Sequence, residues 1–253
     1  MIRRHRPFAL CLMALCWAAA GALFAEDPDG EVWWKNEPLP DGPTVMERMR
    51  AALPGDVVEV RGTLIPRGPA AGDARKLDAV LVLDWHGRPA RAEFEMRDAQ
   101  TGDFVTSFEV ERPAGGTSRY RGIDAQGSSR VVAPGESVAN TAFTWADLAF
   151  EYLWWPTAVT TGAEMRRQRR CYLVDVPNPD PKAEEAFVRL WVDDSVYALL
   201  QAETRNAEGK TLRELSVKSL RKMGGQWLVE DIEVRDFRNN RHTVLRIRPP
   251  NGS

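Results

Sequence analysis

The chain has few of the residues that carry most protein chemistry. Of its 253 residues, three are cysteine and three histidine. Cys11 and Cys16 sit in an apolar N-terminal run, which leaves Cys171 alone downstream and excludes an internal disulfide there. A lone cysteine in a strand pattern is a small buried hydrophobe unless a base stands beside it, and none is evident. His86 falls in a turn and His242 at a strand start, with no third ligand at metal spacing. There is no Gly-x-Ser-x-Gly elbow and no phosphate-binding glycine loop. A basic surplus is missing too. With 34 Lys and Arg against 36 Asp and Glu, the net charge is −2, which argues against nucleic acid as a partner. An enzyme, a bound metal and a cofactor are not expected.

Long apolar runs are absent after residue 25. Before it, "MIRRHRP" is a basic n-region, "FALCLMALCWAAAGALF" an apolar h-region, and "LFA" ahead of Glu26 a cleavage site. Residues 1–25 are read as a signal peptide that sends the chain to the periplasm, an uncleaved anchor being the other reading. Leu precedes both Cys11 and Cys16, so neither fits lipoprotein processing. With 28% charged and 43% hydrophobic residues, the remainder is a folded globular chain large enough for its own core.

Residues 26–43, rich in Pro, Asp and Gly, read as an extended lead-in that carries Trp33 and Trp34. "TVMERMRAALPG" follows as a short helix. Thr44 is the expected N-cap with Glu47 three residues on, and Val45, Met46, Met49 and Leu53 line one face.

Beyond Pro54-Gly55 the period changes to two. "VVEVRGTLI", "LDAVLVLDW", "RPARAEFEMRD" and "DFVTSFEVER" alternate apolar with polar residues, and so do six runs in the second half. Phe104, Phe108 and Val110 are assigned to one dry face. Ten or eleven antiparallel strands imply a mainly β protein with short helices, an α+β chain whose meander curls into an unclosed barrel. Residues 44–253 are read as a single domain.

One segment breaks the pattern: "AFTWADLAFEYLWWPT", residues 142–157. Trp145, Leu148, Ala149 and Tyr152 make a helical stripe of two turns. Thr144 is its N-cap, with Asp147 at the third position, and Phe143 and Leu148 stand as a hydrophobic staple. Asp147 and Glu151 are expected on the far, polar side. A helix this short needs the sheet's dry face to be stable. Either it fills the core or it covers a cavity. A cavity would be lined by Leu81, Leu83, Phe94, Met96, Phe104, Phe108, Val217, Ile232 and Val234. Each buried methylene of an acyl chain would contribute about 0.8 kcal/mol. Trp191 and Trp227 are read as packing residues.

From "FTWADLAFEYL" through "RRCYLVDVPNPDPKAEEAFVRLWVDDSVYALLQAETRNAEGK" to "NNRHTVLRI" the sequence resembles the outer-membrane lipoprotein-sorting protein family, the LolA-like carriers, most clearly over residues 142–248. The resemblance implies a half β-barrel whose hydrophobic cavity takes the acyl chains of a lipoprotein or lipid. It also implies a chaperone-like, monomeric carrier that works between an inner-membrane transporter and an outer-membrane acceptor. Relatives of this kind accompany RND-type exporters, so an accessory or lipid-sensing subunit is the alternative. Trp145, Leu148, Ala149, Tyr152, Trp154 and Trp155 then become lid and rim. The resemblance also implies an arginine that holds the lid, which the motifs do not identify.

Two charged clusters have both bland and functional readings. "MRRQRR", residues 165–170, is either a contact for anionic headgroups or the wet face of an edge strand. Asp193-Asp194 is read as turn chemistry rather than a metal site.

Overall fold

Alternating side chains build the sheet. The strands of the first half are β1 (Val58–Arg67), β2 (Leu77–Asp84), β3 (Ala90–Asp98), β4 (Phe104–Arg112), β5 (Arg119–Ile123) and β6 (Ser129–Val131). Those of the second are β7 (Val159–Arg166), β8 (Arg169–Pro177), β9 (Phe187–Asp193), β10 (Leu199–Arg205), β11 (Thr211–Met223), β12 (Gln226–Asp236) and β13 (Arg241–Arg248). This computed structural model describes residues 37–68, 74–113, 118–223 and 226–248, without the side chains of 220–228. Residues 1–25, read as a signal peptide, residues 26–36 with Trp33 and Trp34, and the Trp227 side chain lie outside the described residues.

All 13 strands join one antiparallel sheet in the order β6-β5-β4-β3-β2-β1-β13-β12-β11-β10-β9-β8-β7. The chain therefore makes two meanders rather than one, and its first and last strands seam them together. Leu64 faces Leu245 across that seam, and Gly62 faces Ile247. A Cβ at Gly62 would stand 2.8 Å from the Arg246 carbonyl oxygen, so the strands meet this closely only because residue 62 is glycine. β6 and β7 end the order without pairing to each other, and the sheet stays an unclosed barrel.

Three strands escape sequence reading: β5, β6 and β7. Their segments "RYRGI", "SRV" and "VTTGAEMR" lie at or next to the edges, and most of their residues are exposed or half-buried. With so few fully buried positions, Gly122 alone among them, they carry too weak an alternation to read.

The opening helix α1 (Gly42–Ala51) begins three residues earlier than its capping signal suggests. Asp41, not Thr44, is the N-cap, and its carboxylate accepts from the Thr44 amide at 2.7 Å. Pro43 explains the shift, because its fixed φ and missing N–H suit the first turn. Val45, Met46 and Met49 are buried as the periodicity predicts. No helix among the described residues is long and apolar enough to cross a membrane.

Candidate functional site

The chain runs from edge strand β6 to edge strand β7 through residues 132–158, which lie on the sheet's dry face. Within it, Thr144 caps α2 (Trp145–Leu148) with a complete capping box. The expected two-turn helix is interrupted: Phe150 adopts a left-handed conformation with φ 46°, and a 3-10 turn, Glu151–Trp154, follows. The break turns Glu151 inward.

Beneath the segment, cross-strand register brings most of the predicted cavity residues together. Leu81, Phe94 and Phe108 stand in one row across β2, β3 and β4, with Leu83 and Met96 in adjacent rows. Val217 faces Ile232 across β11 and β12, and Val234 lies in the next row on β12. Phe94, Met96, Phe108, Val217, Ile232, Val234 and Leu81 are buried, while Leu83 is half-buried. In this structure they meet protein: the Phe108 ring stacks on Trp145 at 4.4 Å between centroids and tilts against Phe94 at 5.6 Å.

Phe104 does not belong to this face. Met96 pairs with Thr106 but Arg97 with Phe104, so Val105 is an extra residue in β4. The bulge puts Phe104 on the side of exposed Arg97 and corrects the strict period-two assignment.

Of the residues expected to form a lid and rim, Trp145, Leu148, Ala149 and Tyr152 are buried, while Trp154 and Trp155 are half-buried against the same core. The two lid acids overturn their predicted orientation. Asp147 and Glu151 are buried rather than polar-side residues, because each meets an arginine from the sheet. Arg213 of β11 donates through Nη2 to Asp147 and through Nη1 to Thr144 Oγ1 at 3.3 Å. Arg112 of β4 donates through Nη2 to Glu151 at 2.8 Å and to the Ala149 carbonyl at 2.9 Å. Arg50 of α1 reaches the Leu153 carbonyl at 2.7 Å, and Thr243 of β13 accepts from the Ala142 amide at 3.0 Å. Polar pins from four separate elements thus hold the segment on an apolar face.

Burial pushes the Arg213 guanidinium down to about 10, which leaves it charged at neutral pH. Asp236 sits opposite it in the ladder, and Glu185 approaches it at 3.8 Å. Burial raises the Glu185 carboxyl, against the opposing charge of Arg238. Neither arginine was singled out by sequence reasoning. The signal was nonetheless present, because Arg112 is in phase with Phe108 and Val110, and Arg213 with Leu215 and Val217.

The clusters with two readings resolve locally. Arg166 bonds Gln201 and lies over the Trp191 ring, Arg167 caps the carbonyls of Val217 and Lys218, Arg169 pairs with Asp193 and Arg170 with Asp194. These arginines are engaged within the chain, and they form a hairpin end rather than a plain wet strand face. Asp193 accepts from the Ser195 and Val196 amides at 2.9 and 3.0 Å, which is turn chemistry. Trp191 packs with Cys171 and Leu200 on the opposite face of the sheet from the lid. Burial pushes the Cys171 thiol up to about 12, far from a nucleophile's range. No group of three or more metal-ligating side chains occurs among the described residues.

A family described as "Uncharacterized protein" matches residues 123–251, just over half of the chain. No curated protein matches the sequence. Among solved structures, a putative outer membrane lipoprotein-sorting protein domain from Vibrio parahaemolyticus superposes with TM-score 0.70 at 14% identity, covering 84% of this chain and 93% of that one. A DUF1329 family protein from Desulfovibrio piger gives TM-score 0.66 at 14% identity, with 83% and 92% covered. A LolA superfamily protein from Nitrosomonas europaea gives 0.65 at 12% identity, with 83% and 93% covered. The fold is LolA-like.

Proposed function

We propose that this chain, which belongs to the family described as "Uncharacterized protein" and has the LolA-like fold, is a non-enzymatic periplasmic carrier of acyl chains. It would receive a lipid or lipoprotein from an inner-membrane transporter, possible partners including an RND-type one, and pass it towards the outer membrane. One observation carries the reading. A wide apolar sheet face is covered by a separate aromatic segment that buried ion pairs fix in place. In an ordinary core, buried ion pairs add little stability relative to apolar packing. They make sense where a segment must dock in one place and also leave it.

When the segment lifts, Phe94, Phe108, Val217 and Ile232 become a surface for hydrocarbon. Each methylene buried there contributes about 0.8 kcal/mol. Uptake must therefore repay the lid contacts, and release requires an acceptor that binds the cargo more tightly.

The test is native mass spectrometry of the mature protein after incubation with phospholipid vesicles. A stoichiometric lipid adduct that Phe94→Asp and Phe108→Asp abolish, in variants that stay folded, supports the carrier. A mass that stays unliganded refutes it. A second reading, a non-transporting sensor or accessory subunit of a transporter, is favoured by the close packing of the lid on the sheet. A lipid sensor would bind lipid without transferring it between membranes, whereas an accessory subunit would bind none and dock protein at the Trp145–Trp155 region.

A further inference from the structure

We propose that Arg112, framed by Trp85 and Trp154 under the lid, recognises an anionic headgroup, a carboxylate or a phosphate, at the end of the bound acyl chain. The inference rests on the carrier reading and gives its cargo a charge.

Arg112 is 7% exposed, and its two hydrogen bonds, to Ala149 and Glu151, both leave from Nη2. A guanidinium carries five N–H donors, yet Nε and Nη1 have no partner within the protein. Buried donors without acceptors are costly, and those of a cation most of all. The surroundings are also short of acceptors. Trp154 Nε1 is buried without a partner, as are Tyr152 Oη and Trp145 Nε1 elsewhere in the covering segment. Such a donor-rich locus fits a group with several acceptor oxygens.

The aromatic frame gives the site its shape. The guanidinium carbon lies 5.5 Å from the Trp85 ring centroid and 5.2 Å from that of Trp154. The two indoles stack on each other with centroids 6.2 Å apart and the guanidinium flanks the pair, a low-dielectric setting in which an anion gains strong, directional bonds. Arg112 lies four residues beyond Phe108 on the same face of one strand, about 13 Å away. A chain laid over Phe108 and Phe94 would thus bring its polar end to the arginine.

The outer face of the sheet offers less. A cavity of about 830 Å³ on the outer face of β1 to β5 and β13 is lined by Arg61, Arg97, Arg121 and Arg248 among others. These arginines pair with Glu59, Glu95, Glu109 and Asp78.

The test titrates the full mature protein with 11-dansylaminoundecanoic acid and with its methyl ester, which share a tail and differ in charge. The expected result is at least roughly tenfold tighter binding of the acid. That ratio should fall to about one in Arg112→Gln/Glu151→Gln, which removes both charges and leaves neither unpaired. Arg112→Lys, which keeps the charge without the fork, should give an intermediate ratio and decides the matter if the double variant does not fold. Displacement of the acid by phosphatidylglycerol vesicles but not by inorganic phosphate identifies a lipid headgroup. Displacement by inorganic phosphate alone identifies the free anion as sufficient. Equal affinity for acid and ester, or a ratio unchanged in both variants, overturns the assignment while leaving the carrier reading intact. No binding of either probe overturns both.

Discussion

Arg213→Met should loosen the lid without unfolding the sheet. The substitution keeps an apolar stem of similar length but removes the cation bonded to Asp147 and Thr144. Asp147 is then left 6% exposed with no opposite charge. Breaking a buried pair this way costs about 3–5 kcal/mol. The lower end applies, because Asp147 still accepts from the Thr144 amide at 2.7 Å and from its hydroxyl at 2.9 Å. Glu185 meanwhile keeps Arg238 at 3.0 Å. About 3 kcal/mol is roughly a hundredfold in the closed-to-open equilibrium. Hydrogen exchange read by mass spectrometry resolves where that cost falls. Amides of residues 142–155 should exchange about a hundredfold faster, while those of β8 and β9 keep their protection. Adding Asp147→Leu should restore most of the loss, since a well-packed apolar pair replaces an ion pair at little cost. Equal loss of protection throughout the sheet would mean that the segment is ordinary core. No change would mean that the ion pair does not hold it.

Four further outcomes follow from packing and charge. Phe108→Ala removes the ring between Phe94, Tyr120 and Trp145 and should cost about 3–5 kcal/mol in urea unfolding. Phe104→Ala, off the dry face, should cost about 1 kcal/mol. Gly62→Ala sets a Cβ against the Arg246 carbonyl and should destabilise the β1–β13 seam by about 1–3 kcal/mol in the same assay. Asp193 and Asp236 are buried, which alone would raise them, but hydrogen bonds and arginines hold both below 3.8. Their stabilisation is therefore complete above the unfolded value and lost as pH falls through the folded ones. The contribution of these two groups to the urea midpoint should hold down to about pH 5 and fall away below it, and Asp236→Asn should shrink that loss.

Much of the fold is legible in the sequence because alternation records burial. "ARAEFEMRD" places Ala92, Phe94 and Met96 inside and their neighbours outside, as β3 does. Alternation is silent at the edges, where "SRV" has no inner face. It also fails at a bulge, since one extra residue at Val105 reverses Phe104. Sequential strands suggest one meander, whereas the β1–β13 seam depends on pairings such as Thr63 with Arg246, 183 residues apart in the chain. The segment that covers the dry face was visible as an aromatic excess capped by Thr144 and Asp147. Its fastenings were not, because a helical wheel sends Asp147 and Glu151 to solvent. Only the tertiary position of Arg112 and Arg213 turns them inward. A charged residue in phase with a dry strand face is the signal that would have found both.

The central claim, that acyl chains occupy the face beneath the lid, is tested most directly by photo-crosslinking. A fatty acid with a diazirine in its chain is bound, irradiated and mapped by peptide mass spectrometry. The account predicts label on the peptides carrying Phe94, Phe108 and Val217 and on the lid segment 142–155, competed by unlabelled fatty acid. Label confined to the outer face around Arg61 and Arg121, or no saturable label at all, would contradict it.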